Sequence, residues 1–310
     1  MEAEFLDWLR HRITPDDRLA VAIGDDAAVL SPAHPPASVL CVDTIVDGID
    51  FQLGQHPLSM IGRKGLAINL SDLAAMCATP VAALVSLTVP PTMTLEECKQ
   101  IYEGLLSLAD EYTLTIAGGD FTVASSPLSL SVTLAGTPPD AGTWLRSGAQ
   151  AGDAIVVTGT LGGSILDKHM SFRPRVDEAR TIAEHCQVHA ATDISDGLLR
   201  DLGNIAEASG LAVHLELDAI PVSPAAELRA RESGLPPLEH ALADGEDFEL
   251  LMAISQAEAV SLLEEQPIDC GLSCIGSFHA GDGLHTIDTN GDRQRVEPRG
   301  FQHGNHAFER

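Results

Sequence analysis

Seven aspartates of this chain lie within or directly after apolar segments, and they restrict the folds that the chain can adopt. They are Asp25, Asp26, Asp43, Asp72, Asp120, Asp193 and Asp196. A charge buried in such a place needs a partner or a metal ion, and the neighbouring segments contain almost no Lys or Arg. Several bound divalent cations are the simplest way to satisfy these carboxylates. Divalent cations held by carboxylates usually serve phosphate chemistry.

The composition fits an enzyme of one or two domains. Of 310 residues, 45% are hydrophobic, and the formal net charge is −27. Nucleic acids and anionic membranes attract positive surfaces, so this charge argues against either as a partner. No segment reaches the roughly 20 apolar residues of a transmembrane helix, and the N-terminus lacks the features of a signal peptide. We expect a cytoplasmic protein whose six scattered cysteines are reduced thiols.

Apolar runs typical of strands alternate with runs typical of helices, which indicates an α/β (α+β) fold. A Pro/Gly cluster, TPPDAG at residues 137–142, interrupts this pattern. We therefore expect an N-terminal domain at residues 1–137 and a C-terminal α/β domain at residues 138–310. The run before Asp120 is predicted to be a strand that leads into two glycines, which permit a tight turn and let the backbone approach a ligand closely.

One predicted helix gives the most specific signal. In RKGLAINLSDLAAMC, apolar residues surround the helix almost completely, and Asn69 and Asp72 lie three residues apart on one flank. One apolar face consists of Leu66, Leu70, Leu73 and Cys77. Such a helix is buried, so the carboxylate of Asp72 needs a cation or strong donors. Asp43 directly follows four residues that are also expected to be buried, which places it at a strand end.

The remaining acidic segments have structural explanations that the sequence leaves open. Asp25 and Asp26 follow a glycine, and turns use Gly-Asp for its geometry alone. Ser195 or Asp196 could be the N-cap of the helix that follows. A helix N-terminus also binds anions, and the two uses are compatible.

Two segments are candidates for phosphate binding through hydrogen-bond donors. The stretch GTLGGS, residues 159–164, could hold a phosphate with its backbone amides, but it lacks the spacing and the lysine of a P-loop. Arg146 could clamp a phosphate through bidentate hydrogen bonds. An exposed Arg at this kind of position is otherwise simply solvated.

Seven motifs together resemble those of one known family. They are GDDAAVL, VDTIVDGIDF, NLSDLAAM, GGD, RSGAQAGD, DISDGLLRDLG and DGEDFEL. In this order and spacing they are similar to the motifs of the thiamine-monophosphate kinases, which belong to the group typified by aminoimidazole ribonucleotide synthetase. The resemblance runs from about residue 20 to residue 303. NLSDLAAM together with DISDG separates the kinases from their relatives.

The resemblance implies a two-domain, aminoimidazole ribonucleotide synthetase-like fold whose N-terminal mixed sheets pair in a homodimer. It implies transfer of the γ-phosphate of ATP directly to thiamine monophosphate, with several Mg²⁺ ions as cofactors. The implied magnesium ligands are Asp26, Asp43, Asp72, Asp120, Asp193 and Asp196. The implied ATP contacts are Gly119, Asp120, Arg146 and Ser195. The implied contacts of thiamine monophosphate are Asp50, Glu246 and Phe301.

No catalytic general base is expected. A phosphate nucleophile is already ionised near neutral pH, and positioning with electrostatic stabilisation supplies most of the rate of phosphoryl transfer. This agrees with the lack of a convincing Ser/His/Asp set in the sequence.

Several positions depart from the family pattern. Asp50 stands where the family usually has His, residues 41–42 are Cys-Val where Ser or Thr is common, and Phe121 replaces a frequent Thr. The stretch from Gly163 to Arg175 is short, so we expect a truncated helix there. These departures leave two alternatives open. One is a related ATP-dependent synthetase that activates an amide or acyl oxygen, and the other is a non-catalytic protein that binds nucleotide or Mg²⁺.

Overall fold

The computed structural model describes Trp8, residues 11–13, 19–21 and 29–30, and residues 39–301. The chain divides into two compact units. The first contains the chain up to Leu73 and Ala78–Gly142, and the second contains Ala74–Cys77 and the chain from Thr143 onward. In the part of the chain that is described, no helix is long and apolar enough to cross a bilayer.

A mixed four-stranded sheet and two helices form the first unit. The strands are β3 (Val39–Val46), β4 (Thr79–Val89), β5 (Thr115–Val123) and β6 (Ser129–Thr137), in the spatial order β3-β6-β4-β5. β4 and β5 are parallel, and the other neighbours are antiparallel. Two short strands, β1 (Leu19–Val21) and β2 (Val29–Leu30), pair with each other.

The two long helices in the described part of the first unit are α1 (Leu58–Ala75) and α2 (Leu95–Glu111). Leu66, Leu70 and Leu73 of α1 are fully buried, which confirms the face predicted from the helical period. Two glycines, Gly62 of α1 and Gly104 of α2, allow the helices to approach closely. A Cβ on Gly62 of α1 would lie 1.8 Å from the carbonyl oxygen of Ile101 in α2.

Two local expectations for the first unit differ from the structure. β5 continues through Gly118 and Gly119 to Val123, so the glycines do not form a turn. Gly119 serves the packing of parallel strands instead, because a Cβ on it would lie 1.8 Å from the carbonyl oxygen of Val85 in β4. Asp43 lies in the middle of β3, and Leu40 and Val42 before it are exposed, at 69% and 61%.

The second unit is built on a sheet with seven described strands. They are β7 (Ala154–Thr158), β8 (Val188–Asp193), β9 (Leu211–Glu216), β10 (Leu250–Ile254), β11 (Leu272–Ala280), β12 (Leu284–Ile287) and β13 (Arg293–Val296). Their spatial order is β13-β12-β9-β11-β7-β10-β8. Every neighbouring pair among them is antiparallel except β9 and β12.

Short helices connect these strands. The described ones are α3 (Lys168–Ser171), α4 (Val176–His185), α5 (Leu198–Ser209), α6 (Pro224–Ser233), α7 (Pro237–Ala243) and α8 (Gln256–Glu265). The apolar face of α5, which includes Leu198 and Leu202, joins Ile155 of β7 and Val213 of β9 in one buried cluster. Gly210 ends α5 in the left-handed conformation, which glycine adopts readily.

Candidate active site

Asp43 and Asp72 of the first unit both act on one thiol. Asp43 belongs to β3 and Asp72 to the C-terminal part of α1, and both are half-buried. Burial raises the pKa of the Cys41 thiol, and the charges of Asp72 and Asp43 raise it further. Asn69, one turn before Asp72, accepts a weak hydrogen bond from the thiol, with 3.4 Å between Cys41 Sγ and Asn69 O. The structure therefore brings these two predicted metal ligands near each other.

Asp120 projects from β5 and is exposed. Thr122 Oγ1 donates a hydrogen bond to Asp120 Oδ2 over 3.1 Å. Burial raises the pKa of Tyr102 in α2, and the charge of Asp120 adds to the effect. Sequence reasoning missed Tyr102, because an aromatic residue on the apolar face of a helix looks like an ordinary core residue.

Asp50 supports its own loop. Its Oδ2 accepts a hydrogen bond from Val46 N over 2.7 Å, and its carbonyl oxygen accepts one from Lys64 Nζ over 2.8 Å. Lys64 belongs to α1 and is 1% exposed. A buried ammonium group beside acidic loops is a second feature that sequence reasoning missed, although Lys64 lies within the motif that contains Asp72.

Two segments of the second unit, one at Glu246–Phe248 and one at Phe301, contact the loop between β8 and α5. Glu246 N donates a hydrogen bond to Ser195 O over 2.7 Å, and Phe248 N donates one to Ile194 O over 2.8 Å. Phe301 N donates to Asp196 O over 2.8 Å. The structure thus brings together Ser195, Glu246 and Phe301, which the sequence separates by up to 106 residues.

Neither Ser195 nor Asp196 is the N-cap of α5. Gly197 occupies the N-cap position, and no side chain caps the helix from there. Instead, Oδ2 of Asp201, in the first turn, accepts hydrogen bonds from the amides of Asp196 and Gly197 at 3.0 and 3.1 Å. This arrangement leaves the side chains of Ser195 and Asp196 unused as caps.

Negative charge concentrates in this loop. Asp193 is 4% exposed at the end of β8. Burial, followed by the charges of Asp193 and Asp196, raises the pKa of Asp201 to about 8. Arg200 offsets part of the charge, with 3.1 Å between its Nε and Asp196 Oδ2.

Arg146 lies beside the same loop. Its Nε donates to Thr192 Oγ1 over 3.3 Å, and Thr192 precedes Asp193. The Arg146 side chain is exposed, so one edge of its guanidinium is held while the rest faces solvent.

The phosphate-binding interpretation of residues 159–164 is wrong for its two central amides. Gly162 N donates to both carboxylate oxygens of Asp247, at 2.9 and 3.0 Å. Gly163 N donates to Asp244 Oδ2 over 3.3 Å. The protein's own carboxylates therefore occupy the donors that a phosphate would need.

Ser233, His240 and Asp244 form a hydrogen-bonded row like that of a hydrolase triad. Ser233 Oγ lies 2.7 Å from His240 Nε2, and His240 Nδ1 lies 2.9 Å from Asp244 Oδ1. The amides after the serine are occupied, however. Gly234 N donates to Ala230 O, and Leu235 N donates to Ser233 Oγ itself. No oxyanion hole forms at that position, so the row links α6 and α7 instead of forming a nucleophile site.

The acidic side chains described above, Asp43, Asp72, Asp120, Asp193 and Asp196, offer carboxylate oxygens, the kind of ligand that Mg²⁺ prefers. In each unit, two of these acids raise the pKa of a neighbouring group: Asp72 and Asp43 that of Cys41, and Asp193 and Asp196 that of Asp201. Within the described ranges, no three His, Cys, Asp or Glu side chains are grouped as ligands of one ion. Asp25 and Asp26 lie outside the described residues.

Comparison with known proteins decides the family. Residues 24–137 match the model of the AIR synthase related protein N-terminal domain, and residues 150–284 match that of its C-terminal domain. A thiamine-monophosphate kinase of Rhodopirellula baltica is 43% identical over 311 aligned positions, which cover 98% of each chain. The chain belongs to the thiamine-monophosphate kinase family.

Solved structures agree with this. The crystal structure of the thiamine-monophosphate kinase of Stenotrophomonas maltophilia K279a has a TM-score of 0.76 and 33% identity, and covers 90% of this chain and 94% of its own. A structure of AaThiL complexed with AMPPCP and TMP shares the fold, with a TM-score of 0.74 and 24% identity over 97% of this chain and 95% of its own. In this member of the thiamine-monophosphate kinase family, NLSDLAAM forms the second half of α1, and DISDG forms the end of β8 and the loop before α5.

Proposed function

We propose that this chain transfers the γ-phosphate of ATP directly to thiamine monophosphate, giving thiamine diphosphate and ADP. The observation that carries this proposal is the convergence of Ser195, Glu246 and Phe301 on one acidic loop. A chain 43% identical along almost its whole length is a thiamine-monophosphate kinase. A protein of the same fold has been solved with AMPPCP and TMP, an ATP analogue and this substrate.

The same proposal assigns the metal ligands. They are Asp26, Asp43, Asp72, Asp120, Asp193 and Asp196. Bound Mg²⁺ would neutralise the phosphates, so that two anions can approach each other. Support comes from the placement of Asp43 and Asp72 around one thiol and from the burial of Asp193 in an acidic loop.

The proposed ATP contacts are Gly119, Asp120, Arg146 and Ser195. The packing of Gly119 against β4 fixes the position of Asp120 in the sheet. Arg146 can offer its free guanidinium edge to a phosphate, because Thr192 already orients the side chain. These residues bind and orient the nucleotide, and none of them needs to remove a proton.

The proposed contacts of thiamine monophosphate are Asp50, Glu246 and Phe301. Glu246 and Phe301 support this role through their backbone contacts with the loop that contains Ser195 and Asp196. Asp50 replaces the usual His, and its carboxylate accepts the amide of Val46. We therefore propose a weaker substrate contact at Asp50 than at the other two positions.

We further propose a homodimer formed by the N-terminal domain, residues 1–137, with residues 138–310 as the C-terminal α/β domain. Leu40, Val42 and Leu84 expose apolar surface on β3 and β4, at 69%, 61% and 47%. Val42 and Leu84 both pair with Thr133 of β6, so they lie in one row across the sheet. Exposed apolar patches of this kind mark protein interfaces, and paired sheets would cover this one.

A cytoplasmic location is proposed as well. All six cysteines are free thiols in the structure. Thiols stay reduced in the cytosol, whereas secreted proteins commonly form disulfides.

Substitution of the proposed ligands tests the function. Asp72→Asn and Asp120→Asn should each abolish thiamine diphosphate formation and leave the melting temperature close to that of the wild type. Asp140→Asn, an exposed acid of the same unit, is the matched control and should retain activity. Full activity in either ligand variant would remove the metal assignment. A folded, Mg²⁺-saturated wild type that makes no thiamine diphosphate would favour the synthetase or non-catalytic alternatives.

A further inference from the structure

Three side chains of the short segment Lys168–Arg175 contact Phe248 and Glu249, which directly follow the turn at Glu246. Lys168 Nζ lies 2.8 Å from Glu249 Oε1. The ring of Phe172 stacks on that of Phe248, with centroids 4.1 Å apart and planes at 14°. Arg175 donates to Glu249 twice, through Nε to Oε2 and through Nη2 to Oε1, each over 2.7 Å. We call these three residues the clamp.

Glu249 is an unusual point of attachment because its side chain is 1% exposed. A carboxylate removed from water needs both charge partners and hydrogen bonds. Besides Lys168 and Arg175, Thr158 Oγ1 donates to Glu249 Oε2 over 2.7 Å. A Cβ on Gly159 would lie 2.4 Å from Glu249 Oε1, so the backbone also encloses the carboxylate. The direction of Glu249 is therefore fixed from several sides.

The turn before Glu249 adopts a conformation that its residues disfavour. Glu246 and Phe248 have φ values of +55° and +50°, in the left-handed region. A left-handed residue other than glycine costs about 1–2 kcal/mol, and it persists only where the surroundings enforce it. Two hydrogen bonds to the loop at Ile194 and Ser195 hold one side of the turn. The clamp holds the other side through Phe248 and Glu249.

We propose that Arg175 is a positioning residue for thiamine monophosphate. The bidentate pair with Glu249, supported by Lys168 and Phe172, keeps the turn in its left-handed form and so directs the Glu246 carboxylate. This inference rests on the proposed function, in which Glu246 contacts that substrate. The clamp touches Phe248 and Glu249, and the ATP contacts proposed above do not include either residue. Loss of the clamp should therefore weaken binding of thiamine monophosphate more than binding of ATP.

Steady-state kinetics with each substrate varied in turn test the role of Arg175. Arg175→Met should raise KM for thiamine monophosphate about tenfold or more and change KM for ATP less than about twofold; tenfold corresponds to about 1.4 kcal/mol. Arg175→Lys keeps the charge but loses the bidentate geometry, so its KM for thiamine monophosphate should be intermediate. Arg173→Met is the matched control. Arg173 lies two positions earlier, is exposed, and forms an ion pair over 3.2 Å with exposed Asp177.

Arg175→Met leaves Glu249 buried without its main partner, which can destabilise the fold. The double variant Arg175→Met/Glu249→Gln removes that buried charge and serves as the second test. It should melt closer to the wild-type temperature than Arg175→Met does, although Glu178 still loses its 3.0 Å ion pair with Arg175. It should also still show the raised KM for thiamine monophosphate. An unchanged KM for thiamine monophosphate in the folded double variant, or an equal rise for both substrates, overturns the positioning role alone. A wild type that forms no thiamine diphosphate overturns the proposed function as well.

Discussion

Gly119→Ala is expected to impair the enzyme by displacing a strand. The added Cβ would lie 1.8 Å from Val85 O and 2.7 Å from Val85 C, whereas real Cβ contacts are essentially never shorter than 3.0 Å. β5 must therefore move away from β4 by about 1 Å, and Asp120 moves with it. Such overpacking costs about 1–3 kcal/mol of stability. A misplacement of about 1 Å at a binding residue can lower the rate about 100-fold.

Gly118→Ala provides a control in the same strand. Its Cβ would lie 3.6 Å from Leu84 Cδ2, which is an ordinary contact. Both variants should be compared by kcat/KM for thiamine diphosphate formation and by melting temperature. We expect Gly118→Ala to stay close to the wild type and Gly119→Ala to lose about 100-fold in kcat/KM. If folded Gly119→Ala stays within about threefold of Gly118→Ala, the link between this close approach and the position of Asp120 is wrong.

Three further outcomes are expected. Val42→Glu should convert the proposed dimer to monomers in analytical ultracentrifugation, since it places a charge on the apolar face of β3; an unchanged dimer would contradict the proposed interface. Leu70→Ala should lower the free energy of unfolding in urea by about 2–5 kcal/mol, because Leu70 is fully buried; a loss below about 1 kcal/mol would contradict the tight packing of α1. Burial lowers the pKa of His214 below 6.5, and stacked His279 adds to this. The unfolded chain then binds the proton more readily, so stability should fall as pH drops below 6.5. His214→Gln should reduce that slope in urea titrations at several pH values, and an unchanged slope would contradict the assignment.

The helix α1 shows what the sequence can predict. Its period places Leu66, Leu70 and Leu73 on one face, and all three are buried. Local pattern is sufficient here because a helix sets its own side-chain directions. The glycines before Asp120 are different, since glycine permits both a tight turn and a close approach. Only the neighbouring strand β4 selects the close approach, and no local pattern contains that information.

The other differences between the sequence-based expectations and the structure depend on which of several available partners each group contacts. The amide of Gly162 is taken by Asp247, 85 positions away, so its use could not be read from GTLGGS itself. The cap of α5 is closer, but the loop offers several acidic or hydroxyl acceptors, and the one used is Asp201, four residues beyond Gly197. Phe301 was selected through the family resemblance rather than through spacing. The structure places its amide on the carbonyl oxygen of Asp196.

The most direct measurement of the central claim is a product assay with two acceptors in parallel. The enzyme is incubated with ATP and Mg²⁺ and either thiamine monophosphate or free thiamine, and the thiamine esters and ADP are quantified by chromatography. Thiamine monophosphate should yield thiamine diphosphate and ADP in equal amounts, and free thiamine should yield no phosphorylated product. ADP release without thiamine diphosphate, or phosphorylation of free thiamine, would contradict direct phosphoryl transfer to the phosphate of the substrate.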